Sequence, residues 1–145
     1  MLFPKKVKHR KWQTNRISAE RRQRPDTRGV TVAYGEYGLM ATSGSRVKSN
    51  QIEAARRVIS RTTGKAGRVW IRIFPDRPIT KKAAEVPMGK GKGDPDHFVF
   101  EVKPERILFE VSGVPEEIAK EAFRKATAKL PLKAKFVRRE DTRAK

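Results

Sequence analysis

The chain has 145 residues, and its 35 lysines and arginines against 16 acidic residues give a formal net charge of +19, which favours a polyanionic partner, foremost a nucleic acid. The absence of cysteine excludes disulfides, thiolate metal sites and cysteine nucleophiles. A reducing, cytoplasmic setting is compatible with that absence. No apolar run approaches the ~20 residues of a membrane span, and the N-terminus lacks the apolar segment of a signal peptide. From the length we expect one compact domain with extensions.

Residues 1–28 are predicted to form a basic N-terminal arm. They hold ten basic residues and two acidic ones, with too few apolar side chains to fold alone. We expect the arm to become ordered on RNA, and Trp12 to stack on an exposed base or ribose. A merely solubilising tail is the alternative. Besides Trp12, the candidate RNA contacts of the arm are Lys5, Lys6, Lys8, Arg10, Lys11, Arg16, Arg21, Arg22 and Arg24.

Residues 29–139 have the pattern of a single folded domain, and residues 140–145 are predicted to be a C-terminal tail. At the start of the domain, residues 30–34 and 37–41 are rich in β-forming side chains and flank Gly35-Glu36. This arrangement predicts a tight β-hairpin.

A helix is predicted from about Ser49 or Asn50 to Thr63. Asn50 and Glu53 resemble a capping box, and Gly64 supplies the stop. The apolar side chains that share one face at helical spacing are Ile52, Ala55 and Ile59.

Arg57 and Arg61 lie one turn apart on the opposite face of this helix. A solvated surface is the ordinary explanation of such a pair. Between residues 48 and 72, however, Glu53 is the only acid against seven basic residues. We therefore favour RNA contact by this pair.

Residues 68–74 alternate between polar and apolar side chains, which predicts a strand ended by Pro75 and Pro78. One face carries Val69, Ile71 and Ile73 and is expected to pack. The other face carries Arg68, Trp70 and Arg72, and its two arginines are candidate RNA contacts.

Residues 78–96 are predicted to be an excursion rich in lysine, glycine and proline, with the loop Met88-Gly89-Lys90-Gly91-Lys92-Gly93 within it. Glycines permit positive φ and close backbone approach, and the lysines are point charges for phosphate oxygens. The loop lacks the spacing G-x-x-x-x-G-K-[ST] of nucleotide hydrolases. Asp94 and Asp96 are expected to mark a turn around Pro95 rather than a magnesium site.

The last predicted elements are a strand pair and a helix. Residues 97–102 and 107–111 are expected to pair through a turn at Pro104-Glu105, and the helix begins at Pro115-Glu116-Glu117 and ends before Pro131. The predicted buried stripe of that helix is Ala119, Ala122, Phe123, Ala126 and Leu130.

No catalytic or metal-binding constellation stands out, and we predict no enzyme, no metal and no cofactor. His9 and His97 have no histidine or acid at metal-ligand spacing that would complete a site. Two other classes stay open from composition alone: a free nucleic-acid-binding module, such as an RNA chaperone or nucleoid protein, and a phosphate-loop enzyme.

Six segments in order resemble one known family, the bacterial large-subunit ribosomal protein L-sixteen family. They are M-L-F-P-K-K-V-K-H-R-K, V-A-Y-G-E-Y-G-L, Q-I-E-A-A-R-R, W-I-R-I-F-P-D-R-P-I-T-K-K, M-G-K-G-K-G and F-E-V-S-G-V-P-E-E-I-A-K-E-A-F-R-K-A-T-A-K-L-P-L-K. The resemblance implies an α+β fold of the hammerhead type, an antiparallel sheet system with two packed helices.

The resemblance also implies a structural role in the large ribosomal subunit. The implied partners are large-subunit ribosomal RNA near the peptidyl-transferase region, transfer RNA in the A and P sites, and neighbouring ribosomal proteins, without a homo-oligomer. It implies help in organising the A site and in late assembly. The residues placed near transfer RNA or the functional centre are Arg56, Lys81, Lys82, Met88, Gly89, Lys90, Gly91, Lys92 and Gly93.

One segment and two positions depart from the family pattern. Residues 13–28 are unlike the usual short glycine-containing connector. Pro87 stands where many relatives carry arginine, which removes a cation and fixes φ before the loop. Glu105 stands where the family commonly has glycine.

Overall fold

The computed structural model describes residues 1–13 and 18–143. Its helices are α1 (Ala19–Arg22), α2 (Ser49–Thr63), α3 (Glu116–Thr127) and α4 (Arg139–Arg143). Its strands are β1 (Tyr37–Ala41), β2 (Ser45–Lys48), β3 (Arg68–Ile71), β4 (Arg77–Lys81), β5 (Asp94–Val102), β6 (Ile107–Ser112) and β7 (Ala134–Arg138).

The strands form two antiparallel sheets. The larger sheet has the order β3-β6-β1-β7 and the smaller one the order β2-β5-β4. Together with the two long helices, these sheets confirm the predicted α+β class with an antiparallel sheet system. Within the described residues, no helix has the length and apolar character that crossing a membrane requires.

The main core lies between the larger sheet and the pair α2 and α3, which pack against each other. Leu39, Phe109 and Val111 of the sheet share one buried cluster with the apolar stripes of both helices. Every side chain predicted for those stripes is buried, from Ile52, Ala55 and Ile59 in α2 to Ala119, Ala122, Phe123, Ala126 and Leu130 in and after α3.

The opposite face of the larger sheet is covered by residues 29–36. Val32 packs there in a small buried cluster with Met40, Ile107 and Val137. The Val32 N–H donates to the Thr142 hydroxyl at 3.1 Å, so that α4 also helps to hold this segment.

Glu110 fixes the same segment to the sheet by a fully buried carboxylate. The carboxylate accepts the N–H groups of Ala33 at 3.0 Å, Tyr34 at 2.6 Å and Gly35 at 2.8 Å, and it pairs with the Arg72 guanidinium. Burial by itself would raise the pKa of Glu110. The three backbone donors and Arg72 outweigh burial, and the pKa lies below its ordinary value.

The predicted hairpin of residues 30–34 and 37–41 is wrong. β1 pairs with β6 and β7 instead, and residues 30–34 form no strand. The N–H groups that a hairpin would have used are bound by the Glu110 side chain, which sequence spacing could not reveal.

The predicted pairing of residues 97–102 with 107–111 is also wrong, although both strands exist as β5 and β6. β5 pairs with β2 and β4, whereas β6 pairs with β3 and β1. The turn between them carries the chain from one sheet to the other. Glu105, at the position where the family commonly has glycine, adopts φ +71° there.

The predicted excursion of residues 78–96 is shorter than expected, because its two ends pair as β4 and β5. Pro78 lies inside β4, the edge strand of its sheet, where a missing N–H is tolerated. Asp94 and Asp96, expected in a turn, belong to β5. The strand predicted for residues 68–74 ends at Ile71, before either proline.

The boundaries of α2 agree with the prediction, but its cap differs. The Lys48 N–H donates to the Gln51 side chain at 2.9 Å. The Glu53 carboxylate, predicted as part of the cap, instead pairs with Arg56 and Arg57. Gly64 ends the helix at φ +67°. The domain boundaries proposed at residues 28 and 139 stay predictions. Contacts cross the first of them, such as the ion pair of Arg106 with Asp26 at 3.5 Å.

We expect Glu110→Gln to lower the free energy of unfolding by about 3 kcal/mol at pH 7, because an amide cannot accept all three N–H groups and leaves Arg72 unpaired. The folded-state pKa of Glu110 lies below its ordinary value. Its contribution is therefore present at neutral pH and is lost as the pH falls from the ordinary carboxyl pKa through the folded-state value. Urea unfolding followed by circular dichroism between pH 3 and pH 7 measures both effects.

Glu121→Gln is the matched control, because Glu121 makes an exposed ion pair with Arg124. It should leave stability nearly unchanged. Equal unfolding curves for the wild type and Glu110→Gln would contradict the role assigned to Glu110.

Candidate nucleic-acid interface

The N-terminal arm and the glycine-lysine loop meet in space, although they lie far apart in the sequence. The Lys92 ammonium donates to the Trp12 carbonyl, and the Lys11 ammonium donates to the Lys92 carbonyl at 3.4 Å. The Arg77 guanidinium of β4 lies 5.7 Å from the centre of the Trp12 ring. Arm and loop thus form one continuous cationic surface next to the smaller sheet.

The loop itself occupies residues 82–93, between β4 and β5. Gly89, Lys90 and Gly91 have φ values of +102°, +57° and +98°, a left-handed run that glycine makes accessible. Lys82 closes it by donating to the Gly89 carbonyl at 2.6 Å. Met88 is 90% exposed, so the tip makes little contact with the rest of the protein.

The other described cations that were predicted as RNA contacts in the arm are exposed. This holds for Lys5, Lys6, Lys8 and Arg10, and for Arg21, Arg22 and Arg24 in and after α1. Arg16 lies outside the described residues. Lys81 is exposed at the base of the loop, and Lys82 is half-buried beside it.

On α2, Arg57 and Arg61 are exposed, as predicted from helical spacing. Arg56 is half-buried and donates to Glu53 at 3.0 Å, and Arg57 lies 3.4 Å from the same carboxylate. The hydrogen bond from Arg56 is the main reason why the pKa of Glu53 is lowered. Arg61 is therefore the residue of this face that lies farthest from that acid along the helix.

Arg68 of β3 and Arg72, which directly follows that strand, differ in their surroundings. Arg68 is exposed at the start of the strand. Arg72 instead pairs with the buried Glu110 and donates to the Thr31 carbonyl at 3.2 Å. An RNA contact by Arg72 stays a prediction, and the structure adds an internal partner that the alternation pattern did not reveal.

Sequence reasoning missed Arg77. Its position between Asp76 and Pro78 gave no helical or strand pattern, yet it contacts Trp12 and pairs with Glu101 at 3.0 Å. Among the described residues, no group of three or more acids and histidines could hold a metal ion. Asp96 and His97 form an isolated pair at 2.7 Å, and this hydrogen bond lowers the pKa of Asp96.

Comparison with known proteins identifies similar chains. Residues 4–137 match the family model described as ribosomal protein L16p/L10e. The chain is 53% identical over 139 residues to the large ribosomal subunit protein uL16 of Verminephrobacter eiseniae (strain EF01-2), covering 96% of this chain and 97% of that relative.

We expect Trp12→Ala to loosen the arm from the smaller sheet, because it removes the ring beneath Arg77 of β4. An exposed cation–π contact contributes about 0.5–1 kcal/mol, so tryptic cleavage after Lys11 should become about two- to fivefold faster. Trp12→Phe keeps a ring and should remain close to the wild type. Cleavage rates that do not depend on the side chain at position 12 would contradict this docking.

Proposed function

Because this chain belongs to the ribosomal protein L16p/L10e family, we propose that it binds large-subunit ribosomal RNA near the peptidyl-transferase region and contacts transfer RNA there. As a family member it is a structural constituent of the large subunit of cytoplasmic ribosomes and not an enzyme. Ribosomal RNA and neighbouring ribosomal proteins are accordingly its partners.

The observation that carries the finer proposal is the contact between the arm and the loop. It brings Lys11, Lys90 and Lys92 to one exposed surface. An RNA backbone that crosses this surface would contact the arm and the loop together. Its phosphates would compensate the positive charge of these lysines.

The same arrangement suggests that affinity and specificity for RNA come from different features of the surface. Lysine and arginine contacts to phosphate supply affinity without reading sequence. Specificity then comes from RNA shape, which a fixed separation between the arm, the loop and the exposed Arg61 can match. The loop, with its exposed tip and glycine backbone, is the part suited to the transfer RNAs and to the organisation of the A site.

We expect replacement of five arm cations by glutamine to weaken binding to large-subunit ribosomal RNA and to flatten its salt dependence. The replaced residues are Lys5, Lys6, Lys8, Arg10 and Lys11. If each contacts one phosphate, the magnitude of the slope of log K against log salt should fall by about 3.5 to 4.5, since each contact contributes ~0.7–0.9. Filter binding from low to moderate salt measures the slope.

The control replaces Lys120, Arg124 and Lys125 of α3, whose charges are already paired with Glu116 and Glu121. Its slope should change much less than that of the arm variant. An unchanged slope in the arm variant would argue against RNA binding by the arm.

For the loop, we expect Lys90→Ala with Lys92→Ala to impair transfer-RNA binding or subunit maturation more than thermal stability. Both lysines are exposed, and the hydrogen bond from the Lys92 ammonium to the Trp12 carbonyl lies at the surface, so their removal costs little folding energy. Sucrose-gradient profiles of cells that depend on the variant, and transfer-RNA binding to their purified ribosomes, measure the two effects. Lys90→Arg with Lys92→Arg keeps the charge and serves as the control.

Normal assembly and normal transfer-RNA binding with the double alanine variant would reduce the loop to a spacer. If the double alanine variant melts at a clearly lower temperature, its loss of transfer-RNA binding or maturation would be explained by lost stability instead.

A further inference from the structure

Tyr34, which is exposed, and Trp70, which is half-buried, form an aromatic surface that the contacts proposed above do not use. The Tyr34 residue is 62% exposed, and its ring stacks on Trp70 with 6.3 Å between centroids and 21° between planes. The Arg72 guanidinium lies 5.1 Å from the centre of the Tyr34 ring. A tyrosine that served only to cover Trp70 would bury most of its own surface, whereas this one leaves most of it open to solvent.

The position of Tyr34 is fixed through its backbone. The N–H groups of Ala33, Tyr34 and Gly35 all donate to the buried Glu110. A Cβ at Gly35 would lie 2.7 Å from the Val111 carbonyl oxygen, so the segment lies directly on β6. The ring is thus held in place before any ligand binds, which lowers the entropy lost on binding.

The charges around the ring favour a polyanion. Arg68 is exposed on the same face of β3 as Trp70, and Arg139 donates to the Ala33 carbonyl at 3.2 Å. Glu110 is already compensated by Arg72 and three N–H groups. Glu36 is the single acid of residues 30–36.

We propose that Tyr34, supported by Trp70 and Arg72, stacks on an unpaired base of RNA. Arg68, on the same face of β3 as Trp70, and Arg139, bonded to the carbonyl of the residue before Tyr34, would contact the adjoining phosphates. This inference rests on the RNA-binding function proposed above and adds a contact of another kind, made to the face of a base rather than to phosphate charge. Because every base has a π-face, the contact tolerates any sequence.

The first experiment measures binding of the full chain to large-subunit ribosomal RNA and to single-stranded oligouridylate over a series of salt concentrations. Tyr34→Ala should bind about tenfold more weakly at every salt concentration, in the range of one lost stacking contact. Its salt slope should equal that of the wild type, because stacking releases no counterions. Tyr34→Phe keeps the ring and should bind like the wild type.

A second variant reports on the ring directly and guards against misfolding. Tyr34→Trp in a chain with Trp12→Phe and Trp70→Phe carries one tryptophan, at position 34, since the chain has two tryptophans in all. Oligouridylate should quench its fluorescence in a saturable way. Circular dichroism melts of each variant show whether the fold is retained.

Wild-type affinity in Tyr34→Ala together with an unquenched tryptophan at position 34 would overturn the stacking proposal, and so would an equal loss in Tyr34→Phe. A Tyr34→Ala chain that binds RNA normally but is lost from assembled large subunits would also overturn it and assign the surface to a neighbouring protein. These results would leave the phosphate contacts standing. Failure of the wild-type chain to bind either RNA would instead overturn the function proposed above.

Discussion

The hydrogen bonds of the buried Glu110 carboxylate hold the segment of residues 29–36 on the outer face of the larger sheet. Glu110 lies in the second strand of the larger sheet, in register with Trp70 of β3 and Gly38 of β1. A carboxylate without partners at that depth would be strongly destabilising. Three backbone N–H groups and Arg72 supply the partners, and in doing so they fix a segment that forms no strand of its own.

Several acids of this chain pair with basic side chains of the same chain, which leaves fewer acids to compensate the remaining cations. Glu110 binds Arg72, Glu101 pairs with Arg46 and Arg77, and Glu116 pairs with Lys120 and Arg138. The two hydrogen-bonded cations at Glu116 lower its pKa to about 2, so it stays ionised throughout the neutral range. Cations of the arm and the loop have few acids near them in sequence, so the excess charge concentrates where the fold is least packed. Phosphate is the natural partner for charge distributed in this way.

The sequence predicted the parts of the fold that follow from local periodicity. Both long helices, their buried stripes, and the strands β1, β3, β5 and β6 were visible in the spacing of apolar residues. Strand pairing was not, because it depends on contacts between distant segments: a side chain from β6 replaced the expected hairpin partner of residues 30–34. Dependence on distant contacts also explains why only part of the candidate nucleic-acid interface was predicted. Exposed cations could be read from composition, whereas the meeting of Trp12, Arg77 and Lys92 joins three segments that no local pattern connects.

The glycines of the loop show how the fold separates stability from function. At Gly93, a Cβ would lie 2.9 Å from the backbone of Lys81, so this glycine belongs to the closely packed neck where β4 and β5 pair. At Gly89 and Gly91, a Cβ would meet no atom within 4 Å, and only the positive φ angles favour glycine. Packing therefore requires glycine in the neck, whereas backbone conformation favours glycine at the tip. Because the tip contributes almost nothing to the core, its charge and shape can suit a polyanionic partner without affecting the free energy of folding.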